Sequence, residues 1–275
     1  MRRFEEVSLV KLRNIVKVYK QGFWEVMALG GVSLDVAEGE VLALIGSSGS
    51  GKSTLLNIIG GISVPTAGSV VVDNLDLTQM SPNHLTLYRR RYVGFLWQET
   101  NLLEDLSLLD NIQYVMYLSE VIPKKEIKPR ALALLTEVGL EARLNHRPNE
   151  VSGGELSRAG LAVALANDPP ILLIDEPTGE LDSSTGEQIM EFLLHLAKKS
   201  KKSLIIVTHD PDVAKKADKT LVMDDGLVYH REDLSVVVSP DGKLVIPPKF
   251  RAQFQSKSVR VSAPTFDSVK IKTEK

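Results

Sequence analysis

One eight-residue stretch, Gly46-Ser47-Ser48-Gly49-Ser50-Gly51-Lys52-Ser53, constrains this chain more than any other. It satisfies the pattern G-x-x-x-x-G-K-[ST] at every fixed position. The apolar run Val41-Leu42-Ala43-Leu44-Ile45 precedes it, and Thr54-Leu55-Leu56-Asn57-Ile58-Ile59 follows. Strand, loop and helix in that order are the context the motif requires. Glycines let backbone N–H groups turn inward around a polyphosphate, and the helix N-terminus adds partial positive charge. Gly46, Ser47, Gly49, Ser50, Gly51, Lys52, Ser53 and Thr54 form the candidate phosphate-binding set. Lys52 has the reach for β- and γ-phosphates, and the Ser53 hydroxyl suits Mg²⁺.

A second run supplies what such a loop lacks. Ile171-Leu172-Leu173-Ile174-Asp175 is continuously apolar with an acid at its end, the pattern of a buried parallel strand. An acid at that end sits at the ligand-binding edge of an α/β sheet. Asp175 is a candidate Mg²⁺ ligand, directly or through water, and Glu176 a candidate base for water attacking a γ-phosphate.

Composition sets the outer bounds. The 275 residues suffice for one large domain, or one domain plus an appendage. The formal charge of -2 gives no global basicity that would argue for nucleic acid. Cysteine is absent, which excludes disulfides and thiolate metal sites. No apolar run approaches the roughly 18–20 residues that span a bilayer, and Met1-Arg2-Arg3-Phe4-Glu5-Glu6 opens no signal peptide. Membrane association is therefore expected to come through a partner.

Residues 7–45 read as strands, with Val32-Ser33-Leu34-Asp35-Val36 alternating cleanly. Gly68–Asp73 is a short strand. Residues 102–145 read as mostly helical with a break at Pro123, and Gly186–Lys199 as a helix. Leu204-Ile205-Ile206-Val207 and Thr220-Leu221-Val222-Met223 are further strands. The alternation predicts an α/β fold with a mostly parallel sheet covered by helices on both faces. Near residue 230 the composition shifts. Residues 231–275 carry nine Lys/Arg against five acids, a net +4, leaving -6 on the rest. This segment is expected to be a small β-rich extension, and Asp241-Gly242 between apolar runs is a hairpin signal.

Val151-Ser152-Gly153-Gly154-Glu155 lies 20 residues before Asp175. With the phosphate loop and Asp175-Glu176-Pro177-Thr178 in order, the chain resembles the ABC ATPases, whose signature is usually Leu-Ser-Gly-Gly-Gln. The resemblance covers about residues 8–230. It implies an ABC nucleotide-binding domain over 1–230 with a helical subdomain at about 99–165, an antiparallel β subdomain, and an extension over 231–275. It implies that the chain binds and hydrolyses ATP with Mg²⁺. Tyr19 matches the aromatic that stacks on adenine, and Gln98 the glutamine that senses Mg²⁺ and the γ-phosphate. Asp182 matches the loop that crosses the dimer interface, and His209 the switch histidine on the γ-phosphate. Ser152, Gly153 and Gly154 of one copy would close on nucleotide held by another, so a homodimer with composite sites is expected. The chain departs from the pattern at Val151, Glu155, the run Leu156–Gly160 and Glu180, which bears on affinity and turnover.

Arg89–Gln98, Asn57-Ile58-Ile59-Gly60-Gly61 and Pro177–Asp182 resemble the lipoprotein-release and macrolide-export branch. That implies a separate integral-membrane permease driven by dimer closure, export or lipid extraction as the task, and a cytoplasmic location against the membrane's inner face. The apolar patch after Gln98 is where a permease coupling helix would dock; ordinary helical core is the other reading. A soluble ABC ATPase of DNA repair or translation is the alternative, but such proteins usually carry a coiled-coil insertion or two cassettes, and neither is visible. Residues 235–251 faintly resemble a swapped-hairpin DNA-binding domain. A hairpin cap or dimer contact is the other reading, and nucleic acid is not an expected partner.

Overall fold

The computed structural model describes residues 8–22, 24–98, 101–179 and 182–230, and four short strands further on. The chain divides into two compact units, Met1–Val228 and Tyr229–Lys275.

The first unit begins with two long strands, β1 (Ser8–Gln21) and β2 (Trp24–Ala37), followed by β3 (Val41–Ile45) and helix α1 (Lys52–Ile59). Next come β4 (Ala67–Val72), β5 (Leu75–Asp76), α2 (Pro82–Tyr92) and β6 (Val93–Leu96). Three helices then succeed one another: α3 (Leu108–Ser119), α4 (Lys124–Glu137) and α5 (Gly153–Ala164). The remainder is β7 (Ile171–Asp175), α6 (Ser183–Ser200), β8 (Ser203–Thr208), α7 (Pro211–Lys215), β9 (Lys219–Asp224) and β10 (Leu227–His230).

Two sheets result. β2-β1-β4-β5 is antiparallel. The larger sheet runs β10-β9-β3-β8-β7-β6, with β6, β7, β8, β3 and β9 parallel to one another. Alternation explains why its central strands are apolar throughout. Successive side chains face opposite sides, so Leu172, Ile174, Leu204 and Ile206 pack with α3–α6. Ile171, Leu173, Ile205 and Val207 pack instead with α1 and the antiparallel sheet. Truncating a fully buried residue such as Leu173 to Ala should cost about 2–5 kcal/mol.

Helix α2 has few apolar positions, Leu85 and Tyr88 being its buried ones, so its sequence alone does not announce it. Its start is local chemistry: the Ser81 hydroxyl caps the His84 N–H, and Pro82 occupies the first turn. Arg89, Arg90 and Arg91 in its last turn face the negative end of the helix dipole. Buried Tyr88 anchors it, donating its hydroxyl to the Ile59 carbonyl at 2.8 Å.

In the second unit, β11 (Val237–Val238) pairs antiparallel with β12 (Leu244–Val245), and β13 (Val259–Thr265) with β14 (Ser268–Thr273). The expected turn at Asp241-Gly242 and most of the stretch compared with a DNA-binding domain lie outside the described residues.

Candidate nucleotide site

The C-terminal edge of the parallel sheet gathers the candidate residues. β3 ends at Ile45, paired with Thr208 of β8, and the phosphate loop leaves from there. β8 neighbours β7, where Asp175 is level with Val207. β7 neighbours β6, with Leu96 level with Ile174, so Gln98 leaves the sheet at the same edge, exposed. Parallel strands thus bring residues 46–53, 98, 175–176 and 208–209 to one rim, although they are far apart in the chain.

The loop is built for an anion. Gly51, at the N-cap of α1, has φ +101, a left-handed conformation that suits glycine. A Cβ there would lie 2.5 Å from the Ala28 carbonyl oxygen, so β2 passes directly against the loop. Among the described residues no side chain caps α1 and no acid lies in its first turn. Its leading N–H groups are therefore available to phosphate oxygens. Lys52 is 8% exposed and donates to the carbonyls of Gly46 and Ser47 at 2.8 and 2.9 Å, poised over the loop it would serve. The buried Ser50 hydroxyl has no partner among the described residues.

The Ser53 hydroxyl donates to Asp175 at 2.9 Å, joining the loop to the acid-ended strand. Burial pushes the Asp175 carboxyl above its ordinary value. The Glu176 charge pushes the same way, while the Ser53 hydrogen bond and the Lys52 ammonium oppose it. A hard cation here would relieve that cost, and hydroxyl plus carboxylate oxygens suit Mg²⁺.

Glu176 has φ +50, unusual for a side chain of its size. Its N–H bonds to the Val207 carbonyl at 2.9 Å, continuing the ladder with β8 one residue past the strand end. Three donors fix its carboxylate: the Thr208 hydroxyl at 3.1 Å, the His209 N–H at 3.3 Å, and His209 Nδ1 at 2.9 Å. With the Nδ1 proton directed at Glu176, His209 can donate from Nε2 to a phosphate only as the imidazolium.

Tyr19 lies on β1 opposite Val26, partly exposed, with Lys17 Nζ 4.9 Å from its ring centroid. Ser152, Gly153 and Gly154 sit elsewhere, at the N-terminus of α5. The Ser152 hydroxyl caps the Glu155 N–H at 3.3 Å, and the Glu155 carboxylate accepts the Ser152 N–H at 2.8 Å. Asp182 caps α6, accepting the N–H groups of Ser184 and Thr185. Thr185 in turn leaves no room beside Gly154, where a Cβ would lie 2.6 Å from its Cγ2. The structure therefore joins Asp182 to the Ser152–Gly154 segment of its own chain. Among the described residues, no recorded hydrogen bond or ion pair links either to residues 46–53. Glu180 and Leu181 lie outside the described residues.

Sequence reasoning missed three residues. Thr208 holds Glu176, and only its place before His209 could have flagged it. Thr185 was accessible through the Asp182-Ser-Ser-Thr cap pattern. Arg143, bonded to Glu155 at 3.0 Å, had no local signal.

This arrangement defines a phosphate-loop nucleotide-binding protein of the α/β class. The chain belongs to the ABC transporter family, whose model matches residues 29–179. An uncharacterized ABC transporter ATP-binding protein of Methanocaldococcus jannaschii, MJ0796, is 42% identical over 229 residues, covering 82% of this chain and 97% of that protein. The lipoprotein-releasing system ATP-binding protein LolD of Chromohalobacter salexigens is 40% identical, covering 79% and 92%. The macrolide export ATP-binding/permease protein MacB of Rhodopirellula baltica is also 40% identical, but this chain spans 32% of its length. A dimeric structure of MJ0796 in a post-hydrolysis state, bound to ADP and Pi, has a TM-score of 0.75 at 42% identity and covers 80% of this chain and 97% of that one.

Proposed function

We propose that this chain hydrolyses ATP as the motor subunit of a transporter, paired with a second copy and docked on a separate membrane permease. The observation that carries the reading is the Ser53–Asp175 hydrogen bond at 2.9 Å, which joins phosphate loop and acid-ended strand beside Glu176.

Lys52 and the loop N–H groups hold the β- and γ-phosphates, and Tyr19 stacks on adenine without reading a base edge. Ser53, Asp175 and Gln98 would hold Mg²⁺, which supplies charge neutralisation on the phosphate oxygens. Glu176 takes a proton from water as the water oxygen bonds to the γ-phosphorus and the bond to the β-bridging oxygen breaks; ADP and phosphate leave. His209 orients Glu176 through Nδ1, and its Nε2 faces the γ-phosphate. Ser152, Gly153 and Gly154 of a second copy cover the γ-phosphate, with Asp182 bracing that segment, so two copies enclose two nucleotides.

A groove of about 340 Å³ beside Gln98, lined by Phe95, Trp97, Leu102, Val115, Leu118 and Val163, is the dock for a permease helix. Tyr114, Tyr117 and Leu118 are exposed beside it on α3. Among the described residues no helix is long and apolar enough to cross a membrane, so the permease would hold the motor at the cytoplasmic face. Relatives in lipoprotein-release and macrolide-export systems favour export or extraction of a lipid-linked or apolar cargo.

Glu176→Gln should lower ATP hydrolysis by about 10²–10⁴-fold, the range for losing a general base, with ATP affinity retained. Hydrolysis at the parental rate would remove Glu176 from this role.

A further inference from the structure

We infer that Arg143 is a positioning residue for the composite site, acting through Glu155 on Ser152. The inference rests on the proposed closure of one copy's Ser152–Gly154 segment over nucleotide held by another.

The difficulty it addresses is electrostatic. Glu155 stands where the family signature usually has glutamine, so this chain places a carboxylate beside the hydroxyl and N–H groups that would meet a γ-phosphate. Glu155 Oε2 accepts both the N–H and the hydroxyl of Ser152, at 2.8 and 3.0 Å. The Ser152 oxygen accepts the Glu155 N–H in return. Both hydrogen-bonding capacities of the serine are thus committed to Glu155. For Ser152 to donate to phosphate, its hydroxyl must rotate off Oε2, and the carboxylate must tolerate both that loss and a second anion.

Arg143 meets both requirements. Its Nε donates to Glu155 Oε1 at 3.0 Å, on the oxygen Ser152 does not use. After Ser152 turns away, Glu155 keeps the Arg143 and Ser152 N–H bonds. The guanidinium also offsets the carboxylate charge facing the incoming triphosphate. Arg143 ends the short turn Glu141–Arg143 that follows α4, with Nη1 3.5 Å from His146 Nε2. A glutamine at 155 could make the same cap without the charge, and an arginine at 143 would then matter less.

The test uses the full chain carrying Glu176→Gln, with dimer mass followed by light scattering against ATP concentration. Arg143→Ala should raise the ATP concentration at half-dimerisation by about three- to tenfold, up to about 1.4 kcal/mol per site. The shift should grow as salt is lowered, because exposed charges are screened. Arg143→Lys, which keeps charge but loses the fork, should shift it less. Arg143→Ala combined with Glu155→Gln should return to the parent value, a rescue that a purely structural role for Arg143 would not give. ADP affinity of each monomer, measured by calorimetry, should be unchanged, because the phosphate loop is untouched. An unshifted Arg143→Ala, a double variant no better than the single, or lost ADP binding in Arg143→Ala would each overturn the inference. A parent that stays monomeric at saturating ATP would instead overturn the composite-site reading beneath it.

Discussion

In the proposed function two helix N-termini of this chain meet phosphate, and they are prepared in opposite ways. α1 begins behind a left-handed glycine, with no side-chain cap and no acid in its first turn among the described residues. α5 begins behind a complete capping box, with Ser152 and Glu155 satisfying each other. The first leaves its donors open and adds Lys52. The second commits the Ser152 N–H, the Ser152 hydroxyl and the Glu155 N–H to its own cap, with a carboxylate among them. Both termini carry the same dipole, so the difference lies in the side chains. α1 is built to take a polyphosphate alone. In the proposed function α5 meets the γ-phosphate only across a dimer, and its internal cap then has to yield to the anion.

The largest expected effect tests the open end. Lys52→Ala should abolish ATP binding in calorimetry, because the phosphates lose their main countercharge. Unchanged affinity would make the two termini equivalent and break the contrast. A substitution at the closed end should separate binding from turnover. A Cβ on Gly153 meets nothing within 4 Å, so the isolated chain leaves open space where the side chain of Gly153→Val begins. It should leave ATP binding by the monomer intact while lowering hydrolysis by at least about tenfold, since a side chain there obstructs a second copy's γ-phosphate. Equal loss of binding and hydrolysis would mean that α5 does not act across a dimer.

The smallest effect concerns pH. Backbone and side-chain hydrogen bonds from Ser152 and Arg143 hold the Glu155 carboxyl at about 2, below its ordinary value of 4.5. A lowered acid pKa means that the cap's contribution to stability is full above about pH 4.5 and is lost as pH falls towards about 2. Acid melts of the parent should therefore show a small stability loss in that window that Glu155→Gln lacks. Identical acid limbs would argue that the cap is not formed in solution.

What was legible in the sequence follows the same divide. The phosphate loop is a local pattern: its glycines, lysine and serine sit within eight residues, and flanking strand and helix announce themselves by apolar runs. Asp175 was legible because it ends such a run, and Glu176 because it adjoins Asp175. The Ser53–Asp175 meeting follows from parallel strand order, which local pattern does not contain. Neither does the left-handed backbone at Glu176, which falls where β7 ends. Helix α2 escaped because a cap and three terminal arginines carry it, with few apolar positions to show a period. Arg143 escaped for another reason. Its partner is 12 residues on, across a turn whose path only the packed α3–α5 layer decides.

The central claim is that two copies close on ATP, each supplying one open and one closed terminus. Light scattering on the full chain carrying Glu176→Gln tests it most directly. Without nucleotide, or with ADP, its mass should be that of one chain, apart from any association through residues 231–275. With saturating ATP and Mg²⁺ the mass should double, and adding Gly153→Val should abolish the ATP-dependent increase. A mass that does not change with ATP, or an ATP-dependent dimer indifferent to Gly153→Val, would contradict the account.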